Sequence, residues 1–324
     1  MTGLDLLDKK ILYELDINAR ISASQLARKL KKSKETVNFR LNKLIKEGII
    51  KGFYPITNTS KFGLYYYKVY LKFNNLTPER EKEIVEYVNR QKHIAFLATA
   101  EGFYDCIFVV MVRNADDMLK FMDPFMGKYG DFIQEKAILT LLSSHRFNLR
   151  FLFEGEIKKD AYYPISLGDY KLDKTDKAIL SILKNNARTS LSDIAKQIGI
   201  NPKIVAYRLR KLEKDNIILT YVTSIDFDKL GYRFVQVNLS LKDSSYRRKI
   251  IEYFTSTKKC LVAIELLGKY DLTIEVYVKS TEEIKDILNQ FRKKFVEQYS
   301  YYDVSTITKE FRMVWGPLSR EAEI

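Results

Sequence analysis

Leu4-Asp-Leu-Leu-Asp-Lys-Lys-Ile-Leu12 returns as Leu172-Asp-Lys-Thr-Asp-Lys-Ala-Ile-Leu180. Asn18-Ala-Arg20 returns as Asn186-Ala-Arg188, and Arg40-Leu-Asn-Lys-Leu44 as Arg208-Leu-Arg-Lys-Leu212. The offset holds without a gap from Leu4 to Gly63 and from Leu172 to Gly231, and about 23 of roughly 60 positions are identical. After a shift of about two residues, Gly102-Phe-Tyr-Asp105 pairs with Gly268-Lys-Tyr-Asp271. The period is far too long for a solenoid, so the chain is a duplicated two-part unit.

The first part of each copy predicts three short helices. Asp5 and Asp8 open the first, where acids cap free N–H groups and face the positive end of the dipole. Asp173 and Asp176 repeat them. A second helix is expected over Ser22–Leu30 and a third from about Lys34 to Glu47. In the second copy Asn201-Pro202 supplies an N-cap and a first-turn proline after the tight turn Gly199-Ile200. Lys31-Lys32 takes that place in the first copy, which predicts a non-glycine residue at positive φ. The strands Ile49–Tyr54 and Ile217–Val222 follow and suit the wing of a winged helix.

This order reads as a helix-turn-helix whose third helix enters the major groove by its N-terminal half. That edge offers Ser33, Lys34, Thr36, Asn38, Arg40 and Lys43, and in the second copy Lys203, Tyr207, Arg208, Arg210 and Lys211. Arginine and asparagine suit guanine and adenine edges, whereas lysine suits phosphate. The plainer alternative, solvated charge on a three-helix bundle, weakens because both copies keep the basic spacing. Arg40 and Arg208 equally suit inward pairing with the acids of the first helix. The two edges differ in sequence, which predicts different half-sites and an asymmetric operator if both bind DNA, or else one head retained only as a structural partner. Residues 1–60 carry twelve basic against six acidic side chains, so the first head keeps a cationic surface.

The second part predicts strand-helix-strand-strand-helix-strand, twice. The strands and helices are Tyr65–Phe73, Glu79–Gln91, Ile94–Ala100, Tyr104–Val112, Ala115–Lys128 and Phe132–Leu142, then their counterparts from Phe234 to Phe311. That is a ferredoxin-like βαββαβ unit with helices on one face. Its other face needs cover, by the second unit of the same chain or by another chain. The fold class is therefore α+β, with two winged helix-turn-helix domains (1–63 and 172–231) alternating with two ferredoxin-like domains (64–153 and 232–324). A linker at 154–171 mixes Gly, Pro and charge.

Composition narrows the function classes. The net charge is +14, from 55 Lys plus Arg against 41 Asp plus Glu, which favours a polyanionic partner. Two cysteines (Cys106, Cys260) and two histidines (His93, His145) supply no disulfide framework and no four-ligand metal site. No metal, cofactor or catalytic set is expected. Both cysteines read as core, His93 and His145 as helix-end and strand-end residues, and Trp315 as a packing residue. The N-terminus lacks a basic n-region, and the longest apolar run, Cys106–Val112, is far short of a bilayer span. A soluble, cytoplasmic protein without membrane association is expected.

Leu-Asp-x-x-Asp, Asn-Ala-Arg, Arg-x-x-x-Leu and Gly48-Ile-Ile-Lys-Gly-Phe-Tyr54 together resemble the leucine-responsive regulatory protein (Lrp/AsnC) family. The match covers nearly the whole chain, twice, whereas the usual member carries one copy. The resemblance implies a transcriptional regulator that binds double-stranded DNA and pairs through its effector domains, here as an intramolecular pseudo-dimer or a homo-oligomer. It also implies an amino acid or related metabolite as effector, with Gly102, Asp105, Gly268 and Asp271 carried over as effector-site positions. The alternative for these four is a plain hairpin turn. Sirohaem decarboxylases resemble the same family, and a tetrapyrrole site of that kind calls for histidine and basic residues, here only His93 and His145, both in the first copy.

Overall fold

The structure is a computed structural model and describes residues 3–153, 161–164 and 168–313. Trp315 lies outside the described residues, as do parts of the linker. Each copy begins with three helices, α1 (Leu6–Ile17), α2 (Ala23–Leu30) and α3 (Lys34–Lys46), then α6 (Lys174–Asn185), α7 (Leu191–Ile198) and α8 (Pro202–Lys214). Asp5, Ser22 and Ser33 cap the first three, and Asp173, Ser190 and Asn201 cap the others, each accepting from a backbone N–H of the first turn. Lys31 adopts φ 52°, the left-handed conformation that Gly199 adopts at φ 71° in the second copy. Asn216 takes φ 54° where the first copy has Gly48 at φ 67°.

The strands that follow, β1 (Ile50–Thr57) and β7 (Ile218–Ile225), take their strand partners from the opposite copy. They pair with each other, antiparallel, with Tyr54 opposite Val222 at the centre. The duplicated Asn-Ala-Arg segments fasten this ribbon. Ala19 N donates to Tyr221 O at 3.0 Å, and Ala187 N donates to Phe53 O at 2.8 Å. Arg20 Nη1 donates to Ala187 O and, at 3.2 Å, to Thr189 O, while Arg188 Nη1 donates to Ala19 O at 2.5 Å and to Ile21 O at 2.9 Å. Each guanidinium also covers an aromatic ring of the opposite copy, Arg20 on Tyr221 and Arg188 on Phe53.

The ferredoxin-like parts supply β2 (Tyr65–Phe73), α4 (Pro78–Arg90), β3 (Ile94–Gly102), β4 (Cys106–Val112), α5 (Ala115–Tyr129) and β5 (Ile133–Arg146). After β6 (Ala161–Pro164) and the second head come β8 (Arg233–Leu241), α9 (Arg247–Ser256), β9 (Cys260–Leu267), β10 (Leu272–Val278), α10 (Thr281–Phe295) and β11 (Tyr299–Met313). Pro124 lies inside α5 without ending it. Each unit keeps its own four strands together, in the orders β5-β2-β4-β3 and β11-β8-β10-β9. The last strand of each then runs on into the other unit. Thr140–Arg146 of β5 pairs with β9, and Ser305–Met313 of β11 pairs with β3. Eight strands so close in a ring, and β6 is appended to β5.

Three apolar clusters follow from this arrangement. One packs β2–β4 against α4 and α5 and includes Val69, Ile84, Phe108 and Phe125. A second packs β8–β10 against α9 and α10 and includes Val237, Phe254, Ile274 and Phe291. The third runs between the two sheets and on into both heads. The two units therefore pair within one chain, the first of the arrangements left open by sequence. The linker is partly tied down as well: Gly168 N donates to Ser60 O at 3.0 Å and Tyr170 N to Lys61 O at 2.8 Å.

Replacing Arg20 and Arg188 together with alanine should lower the unfolding free energy by about 3 kcal/mol or more, because four hydrogen bonds from charged donors are lost. Urea unfolding of the double variant, beside each single variant, measures this.

Candidate nucleic-acid interface

The turn between α2 and α3 needs the left-handed residue Lys31, and the next cap, Ser33, starts α3 by accepting from Thr36 N at 3.1 Å. Val37, Leu41 and Leu44 are buried against the head, which turns the opposite face of α3 outward. Val205, Leu209 and Leu212 do the same for α8. The C-terminus of each third helix is held by a lysine of the opposite copy. Lys229 Nζ donates to Glu47 O at 2.8 Å, and Lys61 Nζ donates to Asp215 O at 2.5 Å. A cation there complements the negative end of the helix dipole.

Lys34, Lys43, Lys203, Tyr207, Arg210 and Lys211 are exposed. Ser33 is exposed but serves as the cap, with its hydroxyl 2.9 Å from that of the half-buried Thr36. Asn38 is half-buried. Arg40 and Arg208 are held inward by the acids of the first helices. Arg40 Nη1 lies 2.7 Å from Asp5 Oδ2 and 3.4 Å from Asp8 Oδ2. Arg208 Nη1 lies 2.5 Å from Asp173 Oδ2 and 3.5 Å from Asp176 Oδ1. A hydrogen bond from the Asp8 amide, with Arg40 alongside, holds the Asp5 carboxyl below its usual range, whereas burial raises that of Asp8. These arginines thus fix the third helix to the first.

Two outward residues of α3 escaped the sequence reading. Phe39 is 68% exposed, at the repeat position of Tyr207, which is 63% exposed. Asn42 is exposed at the position of Arg210. The signal was present in the repeat: the partner of a selected Tyr207 is Phe39. An exposed phenylalanine on this edge can meet a thymine methyl group, and asparagine can bond adenine where arginine bonds guanine.

The carried-over effector positions lie elsewhere, at the hairpins between β3 and β4 and between β9 and β10. Asp105 accepts from Phe73 N at 2.7 Å and from Lys72 Nζ at 2.8 Å. Asp271 accepts from Leu241 N at 2.8 Å and from Arg247 Nη2 at 3.3 Å. Gly102 has φ 127° and packs on the other unit, where an added Cβ would lie 2.3 Å from Val304 O. Gly268 has φ 141°, and its Cβ would first meet the Leu139 side chain at 3.3 Å. The tyrosines between them meet: Tyr270 OH donates to Tyr104 OH at 2.9 Å, and both rings are fully buried. In these contacts the turns join the two sheets.

Cys106 and Cys260 are buried, and burial pushes the Cys106 thiol well above its ordinary value. His145 lies 3.0 Å from Glu265 Oε1 and packs against the Tyr162 ring at a tilt of 40°. His93 is exposed. No group of three or more potential metal ligands exists among the described residues, and none of their helices is long and apolar enough to cross a membrane.

A winged helix-turn-helix DNA-binding family matches residues 4–51 and again 172–218. An uncharacterized HTH-type transcriptional regulator of Pyrococcus furiosus is 33% identical over 138 residues, which is 42% of this chain and 92% of that protein. The HTH-type transcriptional regulator FL11 of Pyrococcus horikoshii is 26% identical over 118 residues, 36% of this chain and 78% of that protein. Among solved structures, the siroheme decarboxylase NirDL shares the fold across 95% of this chain and 93% of its own, with a TM-score of 0.65 at 15% identity.

Arg40→Ala should lower stability by about 1–3 kcal/mol, because buried Asp8 loses its charged partner; thermal unfolding checks it. Gly102→Ala should cost more than about 2 kcal/mol and more than Gly268→Ala, because a backbone oxygen cannot yield as a leucine side chain can. Equal losses in chemical unfolding would contradict that contrast.

Proposed function

Because this chain belongs to the Lrp/AsnC family of HTH-type transcriptional regulators, we propose that it reads one two-part DNA site with both heads at once. The observation that carries this reading is the β1–β7 ribbon, which couples two outward-facing third helices within one chain. Their partner in a one-copy relative would be a second chain; here it is covalent, so the second contact is intramolecular and needs no protein concentration. The proposed division is two heads (1–63 and 172–231), two ferredoxin-like domains (64–153 and 232–324) and a linker (154–171).

On the reading edges, Lys34, Lys43, Lys203 and Lys211 would hold phosphates and fix register. Phe39 and Asn42 would read one half-site, and Tyr207 and Arg210 the other. Glu35 of α3 stands where α8 has Lys203, so the two heads present opposite charge at one position. The operator is therefore expected to be asymmetric. Arg40 and Arg208 would act as positioning residues and not as base readers. An amino acid or related metabolite remains the effector class implied by the family, and the turns at Gly102, Asp105, Gly268 and Asp271 remain its proposed position.

Selection of genomic fragments by the purified protein tests the regulator reading. A two-part site should emerge, with log affinity falling by about 0.9 per log unit of salt for each phosphate neutralised. Lys34→Ala and Lys203→Ala should each lower that slope by about one and weaken all sites alike. The triple change Glu35→Lys, Phe39→Tyr, Asn42→Arg should shift recovered sites toward a palindrome built from the second half-site. Failure to enrich any sequence, together with a haem-like absorption band on adding iron-uroporphyrin, would overturn the reading in favour of a tetrapyrrole enzyme.

A further inference from the structure

Between the two sheets, beneath the β1–β7 ribbon, lies a cavity of about 200 Å³. Phe96, Leu141 and Ile264 give it apolar walls, and Ile56 and Leu219 bring the ribbon to its edge. Five polar atoms of its lining residues lack a hydrogen-bond partner: Lys68 Nζ, Arg146 Nε, Thr57 Oγ1, Thr59 Oγ1 and the Tyr163 hydroxyl. Native interiors rarely leave such groups unsatisfied, so a cluster of five around one cavity demands an explanation. Two of the five are cationic N–H donors and the other three are hydroxyls that can each donate, so one group rich in acceptors could serve them all.

Lys68 is the decisive residue. It is 1% exposed, in the middle of β2, and its ammonium lies 3.8 Å from Glu275 Oε1 of the opposite sheet, too far for a hydrogen bond. Glu275 Oε1 is already bonded by Gln236 Nε2 at 3.1 Å. Burial pushes the Lys68 ammonium down to about 8. The repeat partner of Lys68 is Gln236, so only one of the two related places carries the cation. Two identical chains could not diverge in this way; a duplicated chain can.

We propose that this cavity binds one small carboxylate with an apolar body, Lys68 supplying the counter-charge and donors drawn from Arg146, Tyr163 and the two threonines completing the shell of its two oxygens. A carboxylate offers about four lone-pair positions, enough to take up most of the donors present. A cavity of about 150 Å³ accommodates benzene, so this one suits roughly eight non-hydrogen atoms. Its contact with β1 and β7 places the ligand against the ribbon that couples the heads, away from the hairpin turns of Gly102 and Gly268. The inference stands on the cavity itself and does not depend on DNA binding.

Titration calorimetry of the full chain with sodium benzoate and with hexanoate tests it, with benzyl alcohol as the uncharged probe. Benzoate should bind at one site per chain, at least tenfold more tightly than benzyl alcohol. Lys68→Met combined with Glu275→Gln leaves no unpaired charge and should remove that preference while the melting transition is kept. Val109→Phe, which fills the cavity from a lining position without touching a charge, should abolish binding of both probes. Absence of carboxylate binding in the millimolar range, equal affinity for benzyl alcohol, or binding that survives both variants would overturn the proposal.

Discussion

The antiparallel pairing of β1 with β7 is the constraint on which the rest of the molecule depends. A lone strand after a three-helix head leaves its backbone groups without partners, and here each head satisfies the strand of the other. The two arginines of the Asn-Ala-Arg repeats then close the contact on carbonyl groups across the pair. Once that ribbon exists, the third helices are no longer independent. Lys61 and Lys229 pin the C-terminus of each to the opposite copy. Two outward helix faces held in one fixed arrangement are the direct consequence.

The sheets obey the same logic of exchange. Each long final strand serves two partners, its own unit first and the other unit afterwards. The apolar inner faces are covered, and the edge strands β3 and β9 are capped by a neighbour's strand instead of facing water. Buried polar groups span the seam: Tyr70 bonds Asn238 and Thr273, and Asn238 bonds Asp303. Such a network tolerates little slippage, because each displaced member would leave a buried polar atom unpaired.

Covalent duplication adds a freedom that a symmetric dimer lacks. In a dimer every substitution appears twice across the axis. Here Lys68 faces Glu275 while Gln236 occupies the related place, and Glu35 of α3 stands where α8 carries Lys203. One pseudo-symmetric scaffold thus carries a buried cation on one side only and two third helices with unlike outward faces.

The repeat, the element order and the helix boundaries were legible in the sequence, because they rest on local chemistry. Caps such as Ser22, the left-handed Lys31 and the apolar period of each helix act within a few residues. The basic edges of α3 and α8 were legible for the same reason, though Phe39 was passed over because an exposed phenylalanine reads as core in a one-dimensional pattern. What the tertiary structure alone decided were the pairings between residues more than a hundred positions apart. These are the partner of β1, the exchange of β5 and β11, and the meeting of Tyr104 with Tyr270. Arg40 and Arg208 show the boundary between the two. Their sequence allowed both a base contact and an ion pair, and only the packing of α3 on α1 and of α8 on α6 brought the carboxylates within reach. Long-range contacts depend on how whole elements pack, which no local run of residues encodes.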